Sequence, residues 1–205
     1  MVPAAPFAAG FPTPAQPSEF VERAEQMLTG YLTQAGFGRP GLVYIPSTTS
    51  VPSPCPDYYG NGSQHDRSFD YCPADDTVYI GQEVLWDTYR RFGQAALVSG
   101  LAHEYGHAIQ SDAHVPTPGT ADDTIRHEDQ ADCVSGDVID DLGERGLLTL
   151  PDDLAGIRQY LTATASADAP GRDHGTAEER IRAFTLGYDG GLAACSQFYP
   201  ATPLK

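Results

Sequence analysis

The sequence predicts a mixed α+β fold that is mainly helical and contains a small β-sheet. Long stretches carry apolar residues at three- and four-residue spacing, which is typical of amphipathic helices. Only two short runs, 42–45 and 77–80, are rich in strand-forming residues. The chain has 205 residues, which is enough for one domain with a hydrophobic core.

The first part of the chain is predicted to hold one helix and one strand before a long loop. Residues 1–17 are rich in proline and alanine, and we expect them to form a flexible lead-in to a single domain over 18–205. Ser18 is a suitable N-cap for a helix over 19–36, whose apolar positions repeat at helical spacing. The polar segment 46–76, which follows the first predicted strand, is expected to be a loop.

The rest of the chain is predicted to be helical apart from the strand at 77–80. Acidic residues at the start of the segment 122–142 suit the positive end of a helix dipole. The C-terminal residues, with Cys195 and two prolines, are expected to be irregular. The predicted helices cover 82–92, 93–111, 122–142, 151–165 and 175–187.

The composition excludes nucleic acid as a partner. The formal net charge is −16, so no basic surface is available to neutralise phosphates. No apolar run reaches the roughly 18 residues that a transmembrane helix needs, so no transmembrane segment is expected. The first residues also lack the basic and apolar regions of an intact signal peptide.

Four cysteines allow two disulfides. Cys55 and Cys72 flank a polar loop with little apolar content, so a covalent link there is physically sensible. Cys133 and Cys195 would then form the second pair. Four free, buried thiols are the alternative. Disulfides in turn favour a secreted or extracytoplasmic location.

One predicted helix carries a pattern typical of zinc sites. His103 and His107 lie one helical turn apart on the same face, so both imidazoles can bind one ion. Glu104 is placed to contact a water on that ion, to take up its proton and later to pass the proton to a leaving amine. This is the chemistry of the H-E-x-x-H pattern. The surrounding residues are mostly apolar, and burying these three side chains without a partner would be costly.

A catalytic zinc needs a third protein ligand and an open fourth position. Glu128, on the next predicted helix, is the favoured candidate. Asp132 lies one turn further on and can accept a hydrogen bond from the nitrogen of a ligand histidine that does not face the metal. His127 and His114 are alternatives for the third position.

These stretches and several others, in the same order along the chain, resemble the bacterial neutral zinc metallopeptidase family, which is gluzincin-like. The resemblance spans about residues 40–198. It implies a zincin-like metallopeptidase domain with the small sheet beside the metal helix, one catalytic Zn²⁺, and a peptide or protein substrate. The matching stretches are AHEYGH at 102–107, EDQADC at 128–133, HGTAEER at 174–180, YCPAD at 71–75 with Val78 and Tyr79, and the segment from Gly187 to Cys195.

The resemblance implies a role for each matched polar residue. Glu128, in a Glu-x-x-Ala-Asp motif, is implied as the third zinc ligand, with Asp132 as its supporting neighbour. His174 is implied to stabilise the oxyanion of the tetrahedral intermediate. Arg180, six residues later, is implied to orient carboxylates or to bind substrate.

The expected function is therefore that of a zinc-dependent endopeptidase, with Glu104 activating the attacking water. Two interpretations of the strand at 77–80 stay open: an edge strand beside the cleft that binds a peptide by strand addition, with Tyr79 as a substrate contact, or an ordinary core strand. Two alternatives remain: a catalytically silent metal-binding or interaction protein that derives from a peptidase, and a metal-free helical domain.

Overall fold

A computed structural model of the chain describes residues 17–56, 60–148 and 153–204. The predicted α+β class is confirmed, because helices dominate these residues and the strands form small sheets. The helices are α1 (Pro17–Ala35), α2 (Gln82–Phe92), α3 (Gln94–Asp112), α4 (Ala121–Glu144), α5 (Leu154–Ala163) and α6 (Ala177–Cys195). The strands are β1 (Gly41–Ile45), β2 (Ser50–Pro52), β3 (Ser63–His65), β4 (Phe69–Cys72) and β5 (Thr77–Gly81).

The predicted loop at 46–76 is wrong, since it contains β2, β3 and β4. The strands β2 and β3 pair with each other in an antiparallel ribbon, and β4 pairs with β5. These strands are three or four residues long, too short to show an alternating pattern in the sequence. The predicted lead-in lies outside the described residues except for Pro17, which begins α1.

The central sheet has the order β1-β5-β4. The strand β1 is parallel to β5, and β4 is antiparallel to β5. Of the two interpretations of 77–80, the edge strand is therefore wrong and the core strand is the one observed, because β5 is paired on both sides. Tyr79 is only 4% exposed, and its hydroxyl donates a hydrogen bond to Asp75 at 2.7 Å. The edge of this sheet that lies near α3 is β4.

Helix α3 runs through the middle of the core. Most of its residues are buried, and it packs against α2, α4, α5 and β4. At Gly100 an added Cβ would lie 2.9 Å from the ring of Phe69 on β4 and 2.8 Å from the hydroxyl of Tyr160 on α5. The absence of a side chain at Gly100 therefore lets the sheet and α5 close over the first half of α3.

Helices α4 and α6 touch through their backbones. A Cβ at Gly136 would lie 2.0 Å from the carbonyl oxygen of Phe184, and one at Gly187 would lie 1.8 Å from that of Cys133. The Cys133–Cys195 disulfide joins the same two helices. The prediction of a helix ending near 187 is wrong, because α6 continues to Cys195 across a break at Gly191, where φ is 72°.

Both predicted disulfides are confirmed. Cys55 is joined to Cys72 at the end of β4, and Cys133 is joined to Cys195. Within the described residues, none of the helices is both long and apolar enough to pass through a bilayer.

Candidate metal centre

Helix α3 presents the H-E-x-x-H residues on one face. The rings of His103 and His107 lie edge to face with their centroids 4.8 Å apart. His103 is 5% exposed, and the apolar residues around it on α3 are fully buried. Two imidazoles in so apolar a place need polar partners.

Helix α4 crosses α3 at a point where neither helix carries a large side chain. A Cβ at Gly106 would lie 3.0 Å from the Cα of Ala131. This close approach brings Glu128 onto the histidine face. The Nε2 atom of His103 lies 3.2 Å from Oε2 of Glu128, and the Nε2 atom of His107 lies 3.5 Å from Oε1. Both imidazoles therefore point the same nitrogen at one carboxylate.

The far nitrogen of His103 is held by a buried ion pair. Its Nδ1 lies 2.8 Å from Oδ1 of Asp132, which is fully buried. Arg180, which is 3% exposed, donates to the same carboxylate from Nε at 2.7 Å and from Nη2 at 2.8 Å. Arg180 also donates to the carbonyl and hydroxyl of Thr164. Of the two roles expected for Arg180, the geometry shows the orientation of a carboxylate.

These charges set the ionisation of His103 and Asp132. Burial alone lowers the pKa of His103, but the carboxylates of Asp132 and Glu128 raise it to about 10. Burial alone raises the pKa of Asp132, but the Arg180 guanidinium and His103 hold it well below its usual range. The two carboxylates therefore favour a positive charge at the His103 ring.

The far nitrogen of His107 has a different partner. Its Nδ1 lies 2.8 Å from Oε1 of Gln110, one turn along α3. The amide of Gln110 donates to Oε1 of Gln130 at 3.1 Å, and the amide of Gln130 donates to the carbonyl of Cys195 at 3.1 Å. Because the Gln110 oxygen accepts a hydrogen bond from the ring, the proton of neutral His107 is on Nδ1, and Nε2 is left as an acceptor. Burial lowers the pKa of His107 to about 4, which keeps the ring neutral.

His174 reaches the same carboxylate from the loop before α6. Its Nδ1 lies 2.8 Å from Oε2 of Glu128, and its side chain is 39% exposed. The loop is fixed by a bond from the His174 backbone to the Ser166 hydroxyl and by the capping box of Thr176 and Glu179. Burial raises the pKa of Glu128, but the three surrounding histidines lower it well below its usual value.

Together these residues form a group that could hold a metal ion. One ligand atom from each of His103, Glu128 and His174 lies within 4.8 Å of the others. His107 faces the same carboxylate from the other side. The donor set fits a metal, because each α3 histidine presents Nε2 while its Nδ1 is held by a buried acceptor, which is the arrangement of ligating histidines in proteins.

Glu104 lies beside this group and contacts the sheet. Its Oε2 accepts a hydrogen bond of 2.8 Å from the backbone N–H of Tyr71 on the edge strand β4. Burial raises the pKa of Glu104 to about 8, although His103 opposes the shift. The Glu104 carboxyl group therefore holds a proton more tightly than an exposed glutamate does.

The two alternatives for the third ligand, His114 and His127, do not belong to the group that could hold a metal. His114 has a positive φ of 57° and its Nδ1 contacts the carbonyl of Ser111. The ring of His127 stacks on that of His107 with centroids 5.3 Å apart, and burial lowers its pKa. His127 borders the site, and neither residue belongs to the group around the carboxylate.

Sequence reasoning missed Gln110 and the Tyr71 amide. Gln110 lies three residues after His107, so the i,i+3 spacing on one helix face was a usable signal. The sequence carried no signal for the Tyr71 amide, because its role as a donor to Glu104 depends on which edge of the sheet faces α3.

No protein-family model matches the chain, and no solved structure matches it. Proteins named as uncharacterized from Mycobacterium bovis and from two strains of Mycobacterium tuberculosis are each 28% identical to it. The similarity covers 59% of this chain and 51% of each relative. The chain thus spans about half the length of the curated relatives it matches.

Proposed function

We propose that the chain is a zinc-dependent metallopeptidase that cleaves peptide bonds within its substrate. The observation that carries the proposal is the convergence of His103 and His107 on Glu128, with Glu104 held beside them. Two imidazoles and one carboxylate are a ligand set typical of catalytic zinc. The packing of α3 against the edge strand β4 supports a zincin-like domain.

His103, His107 and Glu128 would hold the ion. A bound zinc ion supplies Lewis acidity, which polarises a peptide carbonyl and lowers the pKa of water. Asp132 and Gln110 orient the two imidazoles, and Arg180 keeps Asp132 ionised.

Glu104 would transfer a proton from the attacking water to the leaving amine. Its Oε2 accepts a hydrogen bond from the Tyr71 amide, so Oε1 would accept the proton of the attacking water. As the hydroxyl adds to the carbonyl carbon and the C–N bond breaks, the same carboxyl group returns that proton to the amine nitrogen. Burial raises the pKa of Glu104 to about 8, which makes the carboxylate form a stronger base and the protonated form a donor near neutral pH.

His174 would stabilise the oxyanion that forms on the carbonyl oxygen. Its side chain is 39% exposed, whereas those of His103 and His107 are 7% and 15% exposed. A partly exposed donor next to the ligand residues would stabilise charge that develops on the substrate during the reaction.

The substrate would add as a strand to β4 instead of β5. Backbone groups alternate between the two sides of a strand, and the Tyr71 N–H points away from β5 towards Glu104. The outer edge of β4 thus faces the metal centre, and an extended peptide would bind there through backbone groups of β4 other than the Tyr71 N–H. The two disulfides favour a secreted or extracytoplasmic location.

The decisive variant is Glu104→Gln. The purified variant should keep about one equivalent of zinc by metal analysis, while its hydrolysis of a broad set of quenched peptides falls at least ~100-fold, because the general base is lost. Glu178→Gln is the matched control, since that side chain is 89% exposed on α6. Undiminished cleavage by Glu104→Gln would refute this mechanism.

A second candidate function is a closed structural zinc site in a catalytically silent protein. The observation in its favour is that His174 belongs to the group able to hold a metal, and a fourth protein ligand would leave no open position. His174→Ala separates the two. Unchanged zinc affinity with reduced hydrolysis supports the peptidase, whereas a large loss of zinc affinity supports the structural site.

A further inference from the structure

The Cys55–Cys72 disulfide lies at the end of the strand that contacts Glu104. Cys72 is the last residue of β4, and the residue before it, Tyr71, donates its backbone N–H to Oε2 of Glu104 at 2.8 Å. A covalent bond to the loop after β2 is therefore one residue away from the contact between the sheet and the general base of the proposed mechanism.

The two ends of β4 are held by different means. Before its start, the carbonyl of Ser68 accepts a hydrogen bond of 2.8 Å from the N–H of Gly81. The carbonyl of Asp66 accepts one of 2.8 Å from the N–H of Glu83, at the beginning of α2. At its other end, β4 is paired with β5 and is joined by the disulfide to a segment outside its own hairpin. Opening the disulfide removes this covalent link from the end that carries the Tyr71 amide.

The disulfide also fills the face of the sheet that points away from α3. A small hydrophobic cluster, separate from the main core, covers this face, and Val51 brings the β2–β3 ribbon into it. Because both cysteines of the disulfide belong to this cluster, the packing of the ribbon against the sheet depends strongly on that bond. The members of the cluster are Ile45, Cys72 and Tyr79, with Val43, Val51 and Cys55 packed against them.

The two disulfides differ in how easily a reagent reaches them. Cys133 and Cys195, between α4 and α6, are each 0% exposed. Cys72 is buried as well, but Cys55 is partly exposed and lies between two exposed prolines. Thiol–disulfide exchange requires a thiolate to reach one of the two sulfurs. An exchange partner can therefore attack at Cys55 while the protein remains folded, whereas the bond between α4 and α6 is protected.

We propose that the Cys55–Cys72 disulfide is a redox switch that controls the contact between β4 and Glu104. With the disulfide formed, the Tyr71 N–H holds Glu104 and the site is active. With two free thiols, the end of β4 loosens and hydrolysis falls. The inference rests on the proposed metallopeptidase function and adds the regulation of its site.

The chemistry of the switch is a two-electron exchange. On activation, the two thiols lose two protons and two electrons to a disulfide oxidant, which becomes a dithiol, and a dithiol reductant reverses the step. Protein disulfides persist in oxidising compartments and are rare in reducing ones. The switch would therefore keep hydrolysis low until the chain reaches oxidising surroundings.

The zinc ligands should not depend on this switch. His103, His107 and Glu128 lie on α3 and α4, which meet through their backbones at Gly106. The protected Cys133–Cys195 bond joins α4 to α6. Opening the disulfide on β4 should therefore change hydrolysis without changing zinc affinity.

Limited reduction tests whether the bond is reachable in the folded protein. The oxidised chain is treated with increasing dithiothreitol, free thiols are alkylated, and the alkylated cysteines are located by peptide mass analysis. Cys55 and Cys72 should be alkylated at a dithiothreitol concentration at least ~10-fold lower than Cys133 and Cys195. Alkylation of all four cysteines at the same concentration would overturn the switch.

Amide hydrogen exchange tests the control of β4 without requiring turnover. The double variant Cys55→Ala with Cys72→Ala represents the open form. Its Tyr71 amide should exchange ~100-fold faster than in the oxidised chain, which is the effect on local stability expected for a disulfide between residues 17 apart. Amides of α3 should exchange equally in both proteins. If the variant does not fold, the same measurement on the selectively reduced chain replaces it. An unchanged Tyr71 rate would overturn the switch.

Zinc binding and hydrolysis separate the switch from the proposed function. The double variant should bind zinc within twofold of the oxidised chain and hydrolyse quenched peptides at least ~10-fold more slowly, because Glu104 is no longer held in position. Undiminished hydrolysis by the variant would overturn the switch and leave the peptidase standing. Absence of zinc-dependent hydrolysis by the oxidised chain would overturn the proposed function, while the exchange rates would still decide whether the disulfide controls β4.

Discussion

The buried pair of Asp132 and Arg180 should be the most sensitive point of the metal centre. Asp132→Asn keeps the shape of the side chain but removes the charge that faces both the Arg180 guanidinium and the His103 ring. The Arg180 side chain is 4% exposed and that of Asp132 is 1% exposed, so solvent cannot replace the lost partner.

Two magnitudes follow for Asp132→Asn. Breaking a buried ion pair from one side costs about 3–5 kcal/mol, which is a large part of the ~5–15 kcal/mol that stabilises a typical domain. Loss of the carboxylate behind a ligand histidine typically weakens metal binding ~10–100-fold. Urea unfolding of chelator-treated protein measures the first effect, and competition with a chromophoric chelator measures the second.

Asp141→Asn is the matched control on the same helix. Asp141 pairs with Arg145 at 2.8 Å, but that arginine side chain is 37% exposed, so its loss should cost less than about 1 kcal/mol. If Asp132→Asn costs no more than this and changes zinc affinity less than twofold, the reasoning about His103 is refuted.

Three further outcomes are expected. Gln110→Ala should weaken zinc binding ~10–100-fold by freeing the His107 ring, and a chelator competition within twofold of wild type would contradict this. Gly187→Ala should destabilise the fold by about 1–3 kcal/mol or more, because the new Cβ would lie 1.8 Å from a carbonyl oxygen of α4. Gly119→Ala is the control, since the nearest atom to its Cβ would lie at 4.0 Å, and it should unfold at nearly the same urea concentration as wild type. Zinc affinity should rise between pH 6.5 and about 10, because the pKa of His103 is raised and a proton must leave its ring before zinc binds. For the same reason the chelator-treated protein should lose folding stability over that pH window. A zinc affinity that stays constant over this window would contradict the coupling.

Local patterns in the sequence predicted the helices and disulfides well. The apolar stripe of α1 and the i,i+4 histidines of α3 depend only on helical periodicity, so no tertiary information was needed. The pairing of Cys55 with Cys72 followed from the low apolar content of the segment between them. Glu128 and Asp132 could be proposed as partners of α3 because they too lie one turn apart.

The sheet could not be predicted in the same way. The strand β4 has four residues and no clear alternation, and its position at the edge depends on pairing with β5, which follows it along the chain. For the same reason the hydrogen bond from the Tyr71 amide to Glu104 could not be predicted. The continuation of α6 past Gly191 could not be predicted either. The Cys133–Cys195 disulfide and the close contact at Gly187 stabilise that segment, and neither is a local feature of the sequence.

The backbone contact between α3 and α4 at Gly106 has a consequence for dynamics. Since no large side chain separates the helices there, the spacing between the two backbones that carry the histidines and Glu128 is fixed at this point. The helices can separate only by breaking a close-packed interface. Amide hydrogens of α3 and α4 should therefore exchange only through global unfolding, while the 113–120 loop exchanges by local opening. The metal ligands would then keep their spacing up to the temperature at which the whole domain unfolds.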